Sequence, residues 1–317
     1  MRKGFTVLII LGVLFVGFLG WWKNGISAVN PKDKSEKLFV IPKGTAIRTV
    51  GNELKAEGLI RDPVVFFLFI KQNNLDRAIQ AGSYRLSPSM DLPKIMDTLG
   101  HGTIDSWITI PEGYRAEEIA AILKQNIPTY KESWVEALKN EEGYLFPDTY
   151  LVPKDADIET IISIFTNNFY AKVGTIGLSK DTPGLSKIVI EASLIEREAK
   201  FADDRPNVAS VITNRLDIGM ALQIDATVQY IYGYNERTKK WWNEPDASQL
   251  KIASLYNTYA HPGLPPTPIC NPGLSAITAA ANPSRTNYVY YVNDSKGKLH
   301  FAETLSEHNK NIEKYLR

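Results

Sequence analysis

One cysteine in 317 residues, Cys270, leaves no intramolecular disulfide to staple the fold and no CxxC pair to hold a metal. Such a residue is expected as a small buried side chain. Histidine is nearly as scarce: His101, His261, His300 and His308 are scattered, with no HExxH and no pair four residues apart. We therefore expect no metal and no cofactor. Net charge is also missing, since 36 basic residues offset 35 acidic ones to leave +1. A nucleic-acid partner would call for a basic stripe, so none is expected. There is no internal repeat or low-complexity tract. Apolar and aromatic side chains make up an ordinary 44%, enough for a sizeable core, and the length allows two domains.

Charge is absent again near the N-terminus. After Arg2 and Lys3, residues Phe5 to Trp22 carry none. Eighteen helical residues at about 1.5 Å each cover roughly 27 Å, the thickness of a bilayer core. The basic pair predicts a cytoplasmic tail at 1–4 and a single transmembrane helix at 5–22, with Trp21 and Trp22 at the far interface. Everything after Lys23 is then outside the cytoplasm. A cleaved signal peptide is the competing reading, and it lacks a good A-x-A site.

Residues 23–37 are polar and turn-rich, which reads as a linker. From 38 to 105 the pattern is strand, helix, helix, strand. Leu38 to Ile41 is the first strand and Thr45 the expected cap of a helix that stops at Gly58. Asp62-Pro63 opens a second helix, and "AGSYRL" is the return strand. This βααβ order resembles a LysM-like module. From 106 to 317 an α-rich domain with a few strands is expected, making the whole chain α+β. Its helices fall near 157–172, 184–200 and 204–217. "LQIDATVQY" reads as extended, "TNYVYYVND" as a strand and "LSEHNKNIEKYLR" as a closing helix. "EEGYLFPDTYLVPKDAD" has too many turn residues for a helix, and its aromatics suit either a cleft or a core. "YNTYAHPGLPPTPICNPG", with five prolines and two glycines in eighteen residues, must be a stiff shaped loop.

"IVIEASLIEREAK" (188–200) is the unusual segment, with Glu191, Glu196 and Glu198 threaded through an apolar run. Glu191 and Glu198 lie seven apart and share an edge. Glu196 has Ala192 and Ser193 at its i−4 and i−3 positions, small residues that leave an open notch beside the carboxylate. A carboxyl flanked by apolar surface resists ionising and can serve as a catalytic acid. Spacing favours Glu196 for that role, while Glu191, Glu198 and plain salt bridging to Arg197 or Arg205 stay open.

"EGYLFPDTY", "ASLIEREAK", "VITNRLDIGMALQIDATVQY" and "YNTYAHPGLPPTPICNPG", in this order behind one N-terminal span, resemble the YceG-like family of endolytic murein transglycosylases. The resemblance runs from about residue 38 to the C-terminus. Ala199 stands where the pattern has Thr, and Thr267 where it has Gly. The resemblance implies a membrane-anchored lyase with its catalytic domain outside the cytoplasm, working beside cell-wall synthases on peptidoglycan. It would cut glycan strands between MurNAc and GlcNAc, leaving 1,6-anhydro-MurNAc ends. It places the catalytic glutamate on Glu196.

One carboxylate is enough for such a reaction, because the sugar's own C6 hydroxyl replaces water as the nucleophile. Gln223, Asn257 and Tyr259 are the candidates for holding the sugars, with Asp225 either orienting one of them or acting as a second acid. The alternatives are a muramidase that admits water and a non-catalytic wall-binding scaffold.

Overall fold

The computed structural model describes residues 2–75, 79–100 and 104–316, with side chains from Leu11 onward. The architecture is α+β, with short antiparallel strand pairs set among helices. The chain divides into two compact units, Met1–Ile108 with Tyr150–Lys154, and Thr109–Thr149 with Asp155–Arg317.

The first unit begins with helix α1 (Arg2–Ile26). Among the described residues no helix is long and apolar enough to cross a membrane. The side chains of α1 from Leu11 to Leu19 are exposed, whereas Trp22 and Ile26 at its foot pack on the unit's core. Gly25 permits that approach, since a Cβ there would meet Val65 Cγ2 at 2.5 Å. The Trp21 indole donates to Asp62 (3.0 Å), and the Arg61 guanidinium donates to the carbonyls of Ala28 and Val29. The start of the linker segment is thus held.

Strand β1 (Lys37–Ile41) and helices α2 (Ile47–Ala56) and α3 (Pro63–Gln72) follow. Strand β2 (Gly82–Leu86) pairs antiparallel with β1, Phe39 opposite Tyr84. Asp62 caps α3 as expected, accepting from the backbone N–H groups of Val64 and Val65. Thr45 does not cap α2: its hydroxyl turns back to the Pro42 carbonyl, and Ala46 holds the cap position. Helix α4 (Leu92–Gly100) adds Leu92, Ile95, Met96 and Leu99 to the core. Strands β3 (Asp105–Thr109) and β4 (Thr149–Pro153) pair with each other.

The second unit contains α5 (Ala116–Asn126), α6 (Trp134–Asn140) and α7 (Ile158–Gly174). Helices α8 (Leu185–Glu198), α9 (Arg205–Asp217), α10 (Asp225–Tyr232) and α11 (Leu274–Ala281) come next. The antiparallel pair β5 (Tyr290–Asn293) and β6 (Leu299–Ala302) precedes the closing helix α12 (Leu305–Tyr315). The core gathers Val189, Ala192 and Ile195 of α8 with Val208 and Ile212 of α9 and Ala276 and Ile277 of α11. The aromatics of "EEGYLFPDTY" belong to the interior: Phe146 and Tyr150 are buried, and Tyr144 meets Phe169 edge-on.

"LQIDATVQY" departs from its extended expectation at Asp225, where α10 begins. Leu222, Ile224, Ala226 and Val228 are all buried, so the alternation is real. It arises from an extended half followed by a first helical turn, both lying on the same core. The Thr227 hydroxyl donates back to the Ile224 carbonyl at the joint.

Candidate active site

The glutamates of α8 go to three different places. Glu191 is buried and its partner is Lys187, 3.7 Å away. Glu196 and Glu198 are two residues apart, which on a helix turns them about 200° from each other, onto opposite faces.

Glu196 faces the proline-rich loop. The notch expected beside it is filled: the Ser193 hydroxyl accepts from the Ile269 N–H, and the Cys270 thiol donates to the Ser193 carbonyl. One Glu196 oxygen accepts from Arg205 Nη2 at 2.7 Å and the other from the Gly273 N–H at 2.9 Å. Both side chains of the ion pair are nearly dry, Glu196 6% and Arg205 9% exposed. Burial raises the Glu196 carboxyl above its ordinary range, while Arg205 and the Gly273 N–H pull it back. Gly273 lets the Glu112 side chain lie close, since a Cβ there would sit 1.9 Å from its oxygen and the carboxylate would have to move. Arg205 therefore pairs with Glu196 itself. The carboxylate has both oxygens engaged by the protein, an arrangement suited to tying α8, α9 and the loop together.

Glu198 faces a cavity of about 290 Å³ lined also by Arg215, Gln223, Asp225, Tyr259, Tyr291 and His308. Burial pushes its carboxyl up to about 7, and nearby Asp225 adds to the rise. The Tyr291 hydroxyl, which donates to it at 2.9 Å, works in the opposite direction, as do Arg197 and Arg215. The Tyr259 hydroxyl donates to Asp225 at 2.5 Å. Arg215 is spent on the backbone, donating to the carbonyls of Val289 and Leu222. Gln223 has φ +51, a left-handed backbone that costs a non-glycine residue of order 1–3 kcal/mol. Its N–H to the Thr258 carbonyl holds it there, and its side chain lines the cavity.

Three of the four residues expected to bind sugar, Gln223, Asp225 and Tyr259, thus come together, and they do so around Glu198. Asn257 is not with them. It is fully buried, donating to the carbonyls of Leu250 and Ile252 and accepting from the Tyr259 N–H, so it shapes the loop that carries Tyr259. A larger cavity, about 1010 Å³ beside Ser210, Thr213 and Asn214 of α9, has the exposed Glu303 as the carboxylate in its lining.

Two buried residues that sequence reasoning passed over hold the loop in place. Asn271 accepts from the N–H groups of Gly143 and Leu145 and donates to the Tyr114 carbonyl and to Glu142. Glu142 also accepts from the Ala116 N–H at the start of α5, and burial pushes its carboxyl up to about 8. A glutamate in "NEEGY" gives no local sign of this, because its partner lies 129 residues away.

The model of the YceG-like family matches residues 39–314. The chain belongs to the YceG-like family. Among curated relatives, the endolytic murein transglycosylase of Bacillus subtilis is 33% identical, over 94% of this chain and 90% of its own length. The endolytic murein transglycosylase of Streptococcus pneumoniae is 27% identical over 99% of this chain, which spans 65% of that longer protein. The crystal structure of a yceG-like protein from Listeria monocytogenes aligns with a TM-score of 0.57 at 31% identity. That alignment covers 87% of this chain and 99% of the other.

Proposed function

We propose that this chain is an endolytic lytic transglycosylase that cuts peptidoglycan glycan strands between MurNAc and GlcNAc and leaves 1,6-anhydro-MurNAc ends, with Glu198 as its acid and then its base. The names of the Bacillus and Streptococcus relatives support the substrate and reaction class. The observation that carries the assignment of the acid is the cavity at Glu198: a carboxyl that burial pushes up to about 7, and so keeps in part protonated at neutrality, beside the hydrogen-bonding side chains of Gln223 and Tyr259.

Glu198 gives its proton to the glycosidic oxygen as the bond to MurNAc C1 breaks, and GlcNAc leaves with a new hydroxyl. The MurNAc C6 oxygen closes on C1, and its proton passes to the Glu198 carboxylate, restoring the acid. No water is consumed. Because the attack is intramolecular, up to roughly 7–11 kcal/mol of orientational cost is already met. Asp225, engaged by Tyr259, orients that hydroxyl toward the sugar. Glu196, held by Arg205 and the Gly273 N–H, is a positioning residue. A hydrolase is the second reading, favoured by the presence of Asp225 as another carboxylate in the same cavity. Digestion of sacculi in ¹⁸O-water separates the two: anhydro ends without label support the lytic route, and a labelled reducing end at each cut would overturn it.

The N-terminal helix is the membrane anchor in this reading, with its tail in the cytoplasm. The exposed apolar side chains from Leu11 to Leu19 support it. A C-terminal reporter should be active only outside the cytoplasm, and activity inside would reverse the topology. The β1-α2-α3-β2 order supports a LysM-like module in the first unit. Shifts in that unit's NMR signals on adding glycan strands would make it a glycan binder, and unchanged signals would leave it a spacer. Pairing with cell-wall synthases follows from the substrate; cross-linking in membranes that recovers no synthase would count against it.

A further inference from the structure

Helix α10 connects the Glu198 cavity to a second one. Asp225 is its first residue, and Gln229 and Tyr232, four and seven positions on, share its face. These two line a separate cavity of about 300 Å³ together with Tyr234, Asn235, Trp241 and Gln249. Seven residues at about 1.5 Å each put the two cavities roughly 10 Å apart along the helix, the length of a disaccharide.

The lining defines the ligand. No charged side chain contributes to it, so neither a phosphate nor an acidic or basic peptide finds a counter-ion there. It offers aromatic faces instead: Tyr232 and Tyr234 are exposed, and Tyr234 lies 5.2 Å from Trp241, ring centre to ring centre. It also offers amides with unused donors. Gln249 accepts through its oxygen from the Asp246 N–H, and Asn235 accepts from the N–H groups of Arg237 and Thr238, leaving the NH₂ group of each free. Aromatic faces for C–H surfaces and amides for hydroxyl and acetamido groups suit a neutral N-acetylated sugar.

The cavity is also built in advance. The Arg115 guanidinium stacks on Tyr230 at 4.2 Å and on Trp241 at 5.0 Å, and it donates to the Tyr230 carbonyl. Next to them, the Trp242 indole donates to Glu118 while Arg197 covers its ring at 3.9 Å. The arm bearing the aromatics is fixed before ligand arrives, which cuts the ordering cost of binding.

We propose that the cavity at the C-terminal end of α10 is a second saccharide subsite, about one disaccharide from the cut bond, that grips an uncharged GlcNAc-type residue of the same strand. This rests on the lytic reading of the Glu198 cavity, and it gives a reason for an internal cut: a strand must extend past the reacting bond to fill both cavities.

The test uses the full chain in detergent with peptide-free glycan strands of two, four and eight disaccharides. The variants are Tyr232→Ala and Gln229→Ala, whose side chains make no hydrogen bond or ion pair in the fold. The parent should show a lower KM on long strands than on the shortest, and each variant should lose about tenfold of that advantage, the worth of one good contact. Binding to the Glu198→Gln protein, followed by tryptophan fluorescence, should weaken to match. A length advantage and a binding constant untouched by both substitutions would overturn the subsite. Strands that bind through Tyr232 and are never cut by the parent would support the subsite and sink the lytic reading instead.

Discussion

Replacing Arg205 by Met keeps most of the volume and removes the charge facing Glu196. Glu196 then has one partner left, the Gly273 N–H, in a site where its side chain is 6% exposed. Removing one member of a buried ion pair costs about 3–5 kcal/mol, because the other charge is stranded. The loss should depend on pH with a definite sign. Burial already raises the Glu196 carboxyl above its ordinary range, and Arg205 is the main group opposing that rise. Without it the folded pKa climbs further, so the folded state keeps a proton that the unfolded chain has released. Stability then falls as pH rises from the ordinary carboxylate range through the new folded value. Urea unfolding should therefore show a small loss near pH 5 and the full loss near pH 8. The double variant Glu196→Gln/Arg205→Met, with no charge to strand, should recover much of it. A loss below about 1 kcal/mol at pH 8, or one equal at both pH values, would refute the view of Glu196 as a structural anion.

Three further outcomes follow from the same geometry. Glu198 must be protonated to act as the acid and its carboxyl sits near 7, so kcat/KM should fall about tenfold per pH unit above that value; a rate that climbs through pH 8 contradicts the assignment. For Glu142, the rise from 4.5 to about 8 amounts to roughly 5 kcal/mol at ~1.4 kcal/mol per tenfold, a contribution present below the ordinary carboxylate range and lost as pH approaches 8. Glu142→Gln should flatten the stability-versus-pH curve over that window, whereas parallel curves would show that the carboxyl is not shifted. Asn271→Ala leaves the buried N–H groups of Gly143 and Leu145 without acceptors, at about 1–3 kcal/mol each. A melting temperature within a degree of the parent would show the loop does not depend on it.

Local chemistry made most of the framework legible. The strand–helix–helix–strand order, the Asp62-Pro63 helix start and the irregular course of the 256–273 loop all depend on residues close in sequence, and each appears where expected. The gathering of Gln223, Asp225 and Tyr259 was also foreseeable, since each lies in a motif too polar for its apolar surroundings. Which glutamate shares their cavity was not legible from local spacing. Ala192 and Ser193 looked like open space beside Glu196, but small residues on a helix equally admit a neighbouring chain, and here Ile269 and Cys270 occupy the gap. Only long-range contacts settle that choice: the Ile269 bond to Ser193 spans 76 residues, and the Tyr291 bond to Glu198 spans 93. Asn257 misled for a related reason, as a polar side chain in a loop can serve the loop's own carbonyls as readily as a ligand.

The most direct measurement compares anhydro-product formation by Glu196→Gln and Glu198→Gln on purified glycan strands, with thermal melts as the folding control. Glutamine keeps the shape of each side chain and cannot exchange a proton. Glu198→Gln should fold and bind strands while losing about 10²–10⁴-fold or more in turnover. Glu196→Gln should be somewhat less stable and keep turnover within about tenfold, since it positions the loop without touching the reacting atoms. A folded Glu198→Gln protein with full activity, beside a Glu196→Gln protein with none, would contradict the account.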